Sequence, residues 1–345
     1  MKTRLSLSLA ILVGFALNPI GTRMEYGPAE GLKLTKSFTG EFTVVLDALD
    51  VTMNGEPFPV GIDDADPSDL EGMLSYSVEL EEQVNSVSDG RVTDLTRTYS
   101  TVSGEVEGGG QSESSSMDEL EGQAVRFVWD DETESYTRSL VDEDAEVEEK
   151  LLNSLDVEVD VLRLLPSGDI AVGDTWEVPA EAIGGLMIPG IDFVGARERN
   201  AEKMDEIPAE FMELFATIQE SLEDATIECK FSELSGEGAD EVATITFTLA
   251  ADLPLEIGDM VANQLADQEM PMEMEVDEFT IEFALELQGE LVWNVQGGHF
   301  SSYEIGGEIG LDGYVTVSAG GGQMEMEGEA EASVEFNVSG SATVN

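Results

Sequence analysis

The sequence predicts a mainly β fold of the α+β kind: long, curved antiparallel sheets in a half-barrel-like meander, with two amphipathic helices inserted mid-chain. Three observations carry this. Apolar and polar residues alternate over runs longer than an ordinary strand: Phe279, Ile281, Phe283, Leu285, Leu287, Leu291, Trp293 and Val295 all occupy odd positions, the period-two mark of a half-buried strand. Glycines interrupt these runs, Gly289 in one and Gly307 and Gly313 in the next, where a long strand has to bend. Helical spacing occurs in only two windows, both between the β-patterned halves.

Taken in order, Leu32, Leu34, Phe38, Phe42, Val44, Leu46 and Ala48 share the even phase of one strand, with Gly40 as its bend point. Residues 54–72 hold Pro57, Pro59, Pro67 and a crowd of carboxylates from Asp63 to Glu71, an irregular acidic loop. Leu74, Tyr76, Val78, Leu80 and Val84 form a second strand, and Ser88-Asp89-Gly90 turns it into a third from Arg91 to Val106. Gly108 to Ser116 reads as a mobile low-complexity linker. Val125, Phe127 and Trp129 then lead to a hairpin tip at Asp130-Asp131, with a return ending near Leu140.

The first helix is expected to open at Asp142-Glu143-Asp144, acidic residues that suit a helix N-terminus, with Val147, Leu151 and Leu155 on one face. The second runs from Pro208 to Leu222, with Phe211, Leu214, Phe215, Ile218 and Leu222 in line. Its polar face carries Glu210, Glu213, Glu220 and Glu223 and no cation, which favours packing on the protein's own sheet over an anionic membrane. After the run ending at Val295, Gln296-Gly297-Gly298 turns the chain. Tyr303, Ile305, Ile309, Leu311, Val315 and Val317 follow on odd positions, and Gly320-Gly321-Gly322 turns it again. Met324, Met326, Ala330, Ala332, Val334, Phe336 and Val338 close the chain on even positions, with Glu325, Glu327, Glu329, Glu331 and Glu335 opposite. An outer-membrane barrel would turn such an apolar face to lipid between aromatic girdles; here the aromatics are scattered and the strands look too few to close. The chain thus divides into a signal peptide (1–23), an N-terminal β region (24–141), a helical and turn segment (142–224) and a C-terminal acidic β meander (225–345).

The organising stretch is Leu164 to Pro179, near the midpoint. Val172, Asp174, Trp176 and Val178 share a phase around the turn-prone pair Gly173-Asp174, a chain reversal pinned by an indole buried between the two halves. Glu148 to Asp156, then Asp160-Val-Leu-Arg-Leu-Leu-Pro, then Val172-Gly-Asp-Thr-Trp-Glu-Val-Pro resembles a family of secreted bacterial proteins that share a helix followed by an LLP…VGDTWEVP signature. The resemblance covers residues 145–200. It implies a secreted β protein, and it carries no activity.

Composition sets the compartment and the surface. Lys2 and Arg4 precede an uncharged apolar run from Leu5 to Leu17, shorter than the roughly 20 residues that span a bilayer, so the N-terminus reads as a secretion signal with Gly14-Phe15-Ala16 as a small-x-small cleavage triplet. A secreted or periplasmic location follows. No cysteine follows the run, which argues against a lipid anchor. Asp and Glu number 74 against 15 Lys and Arg, a net charge of −59. Lys230 is the last basic residue, and 24 carboxylates follow it. Such a surface repels nucleic acid and anionic membranes. Screening ions, calcium or a cationic partner would have to offset it, which makes the chain look salt-adapted.

Catalytic motifs do not emerge. The single cysteine, Cys229, alternates with Ile227 and Phe231 and reads as a small core residue. The single histidine, His299, follows a glycine turn in the inward phase and reads as structural, and one histidine rules out the usual zinc-hydrolase ligand sets. Asp63 to Glu71 offers oxygen donors for calcium, but an EF-hand register from Asp64 puts Asp69 where glycine belongs and Ser75 at the bidentate position. Asp174 reads as a turn former. No catalytic, cofactor or metal residue is assigned. The expected role is a non-catalytic, β-rich envelope component or carrier of an apolar ligand, with the second helix as a plug for the sheet. The alternative is a carboxylate-dependent hydrolase.

Overall fold

The long alternating runs pair with one another into a single open antiparallel sheet. In this computed structural model, residues 21–57, 71–108, 111–115, 118–157, 161–183, 190, 225–255, 273–321 and 324–345 are described. The strands are β1 (Lys33–Met53), β2 (Glu56–Pro57), β3 (Glu71–Ser88), β4 (Arg91–Gly108), β5 (Gln111–Ser115), β6 (Ala124–Asp130), β7 (Ser135–Leu140), β8 (Thr175–Pro179), β9 (Thr226–Ser235), β10 (Val242–Leu255), β11 (Glu273–Asn294), β12 (His299–Gly321) and β13 (Met324–Val344). Their spatial order is β7-β6-β4-β3-β1-β13-β12-β11-β10-β9-β8, with β2 and β5 as short side pairs on β1 and β4. The first and last long strands are therefore neighbours; Phe38 faces Ala342 and Val44 faces Phe336. Each tight reversal has local chemistry to explain it. Asn54-Gly55 and Asp89-Gly90 both hold two successive positive φ angles, the geometry of hairpin turns that Asn-Gly and Asp-Gly favour.

The sheet is open, with β7 and β8 as its edge strands, and both edges are blunted. On β7 the Tyr136 carbonyl accepts from Arg138 Nη1 at 2.8 Å, and Arg138 Nε reaches across to Leu155 O at 2.6 Å. On β8, Ala180 N bonds Ala225 O, so Pro179 sits in the alternate register that faces outward, where a missing N–H costs the ladder nothing. The connection from Val141 to Asp174, the seam connection, bonds both edges, with Leu155 O accepting from Arg138 on β7 and Leu164 O from Trp176 on β8. It contributes helix α1 (Glu149–Ser154), a 3-10 turn at Leu162–Leu164, and the buried side chains Leu155, Val161 and Leu164.

Several expectations need correction. Helix α1 starts at Glu149, not at Asp142; Asp142 instead caps a turn by accepting from Asp144 N at 3.0 Å. Gln111 to Ser115 of the supposed linker is strand β5, paired to β4. Ala48 is exposed, because a bulge between Leu46 and Ala48 adds one residue and flips the phase of β1 beyond it. The acidic stretch 58–70 and the helix expected over Pro208–Leu222 lie outside the described residues. The outer faces of the strands carry glutamates, and the apolar faces line the inside, the reverse of a lipid-facing barrel.

Candidate functional site

The inside of the sheet is layered, and its layers differ in chemistry. Following hydrogen-bonded partners from strand to strand, one row reads Trp176, Cys229, Phe247, Gly289, Ile305, Gly340, Gly40, Tyr76 and Gly104. Rings lie across its glycines. A Cβ on Gly40 would sit 2.2 Å from the Tyr76 ring, and one on Gly289 would sit 2.3 Å from Phe247. Only a residue without a side chain admits those rings, and the row is where the long strands can bend. Burial pushes the Tyr76 phenol up to about 12 and the Cys229 thiol up to about 12, so both stay neutral.

On one side of this row lies the closed base. Phe231, Ile245, Leu291, Tyr303, Ala342 and Phe38 form a fully buried layer, with the Phe38, Phe300 and Tyr303 rings in mutual contact at 5.6 to 6.5 Å. Beneath it are three charged side chains that the sequence reading passed over. Lys36 Nζ lies 2.6 Å from Glu82 Oε2, and Arg97 bonds Glu82 Oε1 through Nε at 2.9 Å and Nη2 at 2.7 Å. Arg97 also donates to Tyr99 Oη at 3.5 Å and to the carbonyls of Asp156 at 2.6 Å and Val157 at 2.7 Å. All five of its N–H groups are thereby used. Lys36 also stands 5.4 Å from the Phe300 ring centre.

Within this buried cluster two cations share the carboxylate of Glu82. Burial acts to raise the Glu82 carboxyl, but Lys36 and Arg97 outweigh it and hold the group below the usual carboxylate range. The cluster's role is positional. It ties β1, β3 and β4 to the seam connection at residues 156–157, using the side chain best suited to fork between a carboxylate and two carbonyls. The signal for it was present in the sequence: Lys36, Glu82 and Arg97 each sit in the apolar phase of their strand, between Leu34 and Phe38, Leu80 and Val84, Leu95 and Tyr99.

On the other side of the glycine row the inner face opens. The next rows read Leu249, Leu287, Gly307, Val338, Phe42 and Leu74, then Ala251, Leu285, Ile309, Phe336, Val44 and Gly72, then Phe283, Leu311, Val334 and Leu46. No charged side chain interrupts them. Burial along them is uneven: Leu249, Leu285, Leu287 and Val338 are buried, whereas Phe42, Val44, Leu46, Ile309, Leu311, Val334 and Phe336 are half-buried and Leu74 is 38% exposed. With rows about 7 Å apart, this is a partly covered apolar trough beside the packed base.

The residues singled out from the sequence fall elsewhere. Cys229 is buried between Trp176 and Phe247. His299 is half-buried, its Nδ1 donating to Phe300 O at 2.7 Å. A register shift between Val292 and Trp293 turns Phe300 inward in its place, so the inward phase assigned to His299 is corrected. Asp174 forms the turn, accepting from Ala171 N at 2.8 Å beside Gly173 at φ +99°. Val172 is 54% exposed and does not share the inner face. Trp176 is half-buried, not enclosed between the two halves; its Nε1 donates to Leu164 O at 3.1 Å and fastens β8 to the seam connection.

One outer depression, about 480 Å³, is lined by Thr39, Ser75, Ser339, Ser341, Glu41 and Glu304 over the glycine row. Its two carboxylates are separated by β13 and offset by two residues. That places their Cα atoms about 12 Å apart from strand spacing and rise. Among the described residues, no three His, Cys, Asp or Glu side chains converge to hold a metal ion. No protein-family model matches the chain, and no curated protein matches it.

Proposed function

We propose that the protein is a secreted or periplasmic, non-catalytic carrier of an apolar small molecule, and that the trough beyond the glycine row is its binding face. The observation behind this is an inner surface with no charge in it that is only partly covered, with Phe42, Val44, Ile309, Leu311 and Phe336 half-buried and Leu74 partly in solvent. A surface of this kind gains free energy when an apolar ligand removes it from water, at about 25 cal/mol per Å². The acidic outside keeps the carrier soluble and away from anionic membranes. The resemblance around Val172–Pro179 to secreted proteins supports the same compartment.

The test is the binding of an environment-sensitive apolar dye, N-phenyl-1-naphthylamine, to the mature chain, with palmitate as competitor. A saturable rise in emission that palmitate reverses is expected. Leu311→Glu and Phe336→Glu should remove it while leaving the fold intact, since both positions lie outside the closed base. A folded protein that gives no saturable signal would refute the carrier reading and favour a structural component of the envelope.

A further inference from the structure

The charges of the sheet are sorted along its strands. The glycine row divides each long strand into a base half and a mouth half. Lys33 and Lys36 on β1, Arg91 and Arg97 on β4 and Lys230 on β9 all stand in base halves, and Arg126 and Arg138 lie beside them on β6 and β7. The mouth halves are residues 41–53 of β1, 71–75 of β3, 105–108 of β4, 248–255 of β10, 273–288 of β11, 306–321 of β12 and 324–339 of β13. They hold no Lys or Arg. Their outer face exposes Glu41, Asp252, Glu282, Glu308, Asp312 and Glu335. Glu282 stands directly opposite Asp312, and Glu286 opposite Glu308, cross-strand like-charge pairs that cost stability.

These mouth halves are the walls of the apolar trough. Their inner side carries no charge, and their outer side carries charge of one sign. A sheet layer is about 10 Å thick, within the reach of a carboxylate's field at low salt, and a low-dielectric wall focuses that field into the cleft it encloses. From Gly40 to Leu46 the trough runs for about 20 Å of strand rise, so a ligand with its tail against the packed base holds its head at the mouth. We propose that the trough takes a cationic amphiphile, an alkyl chain with an ammonium head, its tail along the inner rows and its head among the mouth carboxylates. This rests on the carrier reading above and names the class of its ligand. An anionic amphiphile finds the same apolar rows behind a repelling wall, and it competes more weakly.

Displacement of N-phenyl-1-naphthylamine from the purified full chain, below micelle-forming concentrations, tests the choice of head. Dodecyltrimethylammonium, 1-dodecanol and dodecanoate place three heads on one tail. The ammonium should bind about tenfold tighter than the carboxylate in 10 mM buffer, with the alcohol between, and the spread should shrink to about twofold in 1 M sodium chloride as the Debye length falls from about 30 Å to about 3 Å. Tetramethylammonium, a head without a tail, should leave the dye in place; displacement by it would put the probe on the acidic surface and overturn the proposal. The combined change Glu282→Gln, Glu308→Gln, Asp312→Asn and Glu335→Gln should remove most of the preference. The base-half change Glu79→Gln, Glu81→Gln, Glu132→Gln and Glu233→Gln alters net charge equally and should leave the preference intact. Equal displacement by the three heads, or equal effects of the two variants, overturns the proposal and leaves the carrier reading standing. A folded protein that binds no dye overturns both.

Discussion

Replacing Glu82 with Gln tests the buried cluster most directly, because it keeps the side-chain shape and removes the carboxylate that both cations share. Lys36 and Arg97 then lose that shared carboxylate, inside a layer where all three side chains are shielded from water. Breaking a buried ion pair on one side costs about 3 to 5 kcal/mol, and three short contacts from two cations place Glu82→Gln at the upper part of that range. The pH dependence has a definite sign. Glu82 has a folded-state value below the ordinary carboxylate value of about 4.3. Its contribution is therefore complete above the unfolded value and disappears as pH falls through the folded one. Urea unfolding of both proteins at a series of pH values measures this as the difference between two curves, which cancels the titration of the other carboxylates. The difference should be flat from pH 7 to about 5 and shrink below that, as the wild-type group takes up a proton and comes to resemble Gln. A difference below 1 kcal/mol at pH 7, or one that does not change with pH, would refute the assignment of Glu82 as the cluster's essential anion.

Other expectations follow from single contacts. Trp176→Ala should cost about 2 to 3 kcal/mol by chemical denaturation, less than a fully buried indole, because the side chain is only partly buried and one bond to Leu164 O is lost. Gly40→Val should cost about 1 to 3 kcal/mol, since the Tyr76 ring occupies the space of the new side chain; the added change Tyr76→Ala should recover part of the loss in a double-mutant cycle. Cys229→Ala and His299→Ala should both leave dye binding in place, as neither lines the trough. Raising sodium chloride from 10 mM to 1 M should raise the melting temperature, because the outward glutamates repel across about 7 Å and the Debye length falls from about 30 Å to about 3 Å; millimolar calcium at matched ionic strength separates specific sites from screening.

Period-two alternation carried most of the fold. Along β3 and β12 the side chain's face depends only on its parity, a purely local property, so Tyr76, Leu80, Tyr303 and Ile305 point inward as their positions predict. The same rule fails at Ala48 and His299, where one extra residue reverses the parity. Bulges have weak local signatures, and neither could be seen before the partner strands were known. The Gly173-Asp174 turn was legible because its bonds close within three residues.

The functional surface was only half legible for a related reason. Alternation supplied its apolar face, while its division into a packed base and a half-covered trough comes from rows that cross up to nine strands. The buried ions stand between the two cases. Each lies in an apolar phase that the sequence displays, but what makes a charge tolerable there is a partner on another strand, 15 residues away for Glu82 and Arg97.

By itself, then, the sequence determined the strand character, the acidic outside and the apolar inside, because each is set by the identity of a residue and its immediate neighbours. Tertiary structure alone decided that β1 lies beside β13, that the sheet ends at β7 and β8, and that Arg97 holds the seam connection by its carbonyls. These are pairings across long chain separations, such as Phe38 with Ala342. Loop entropy and register choose among many such pairings, and no local pattern encodes which one the folded chain adopts.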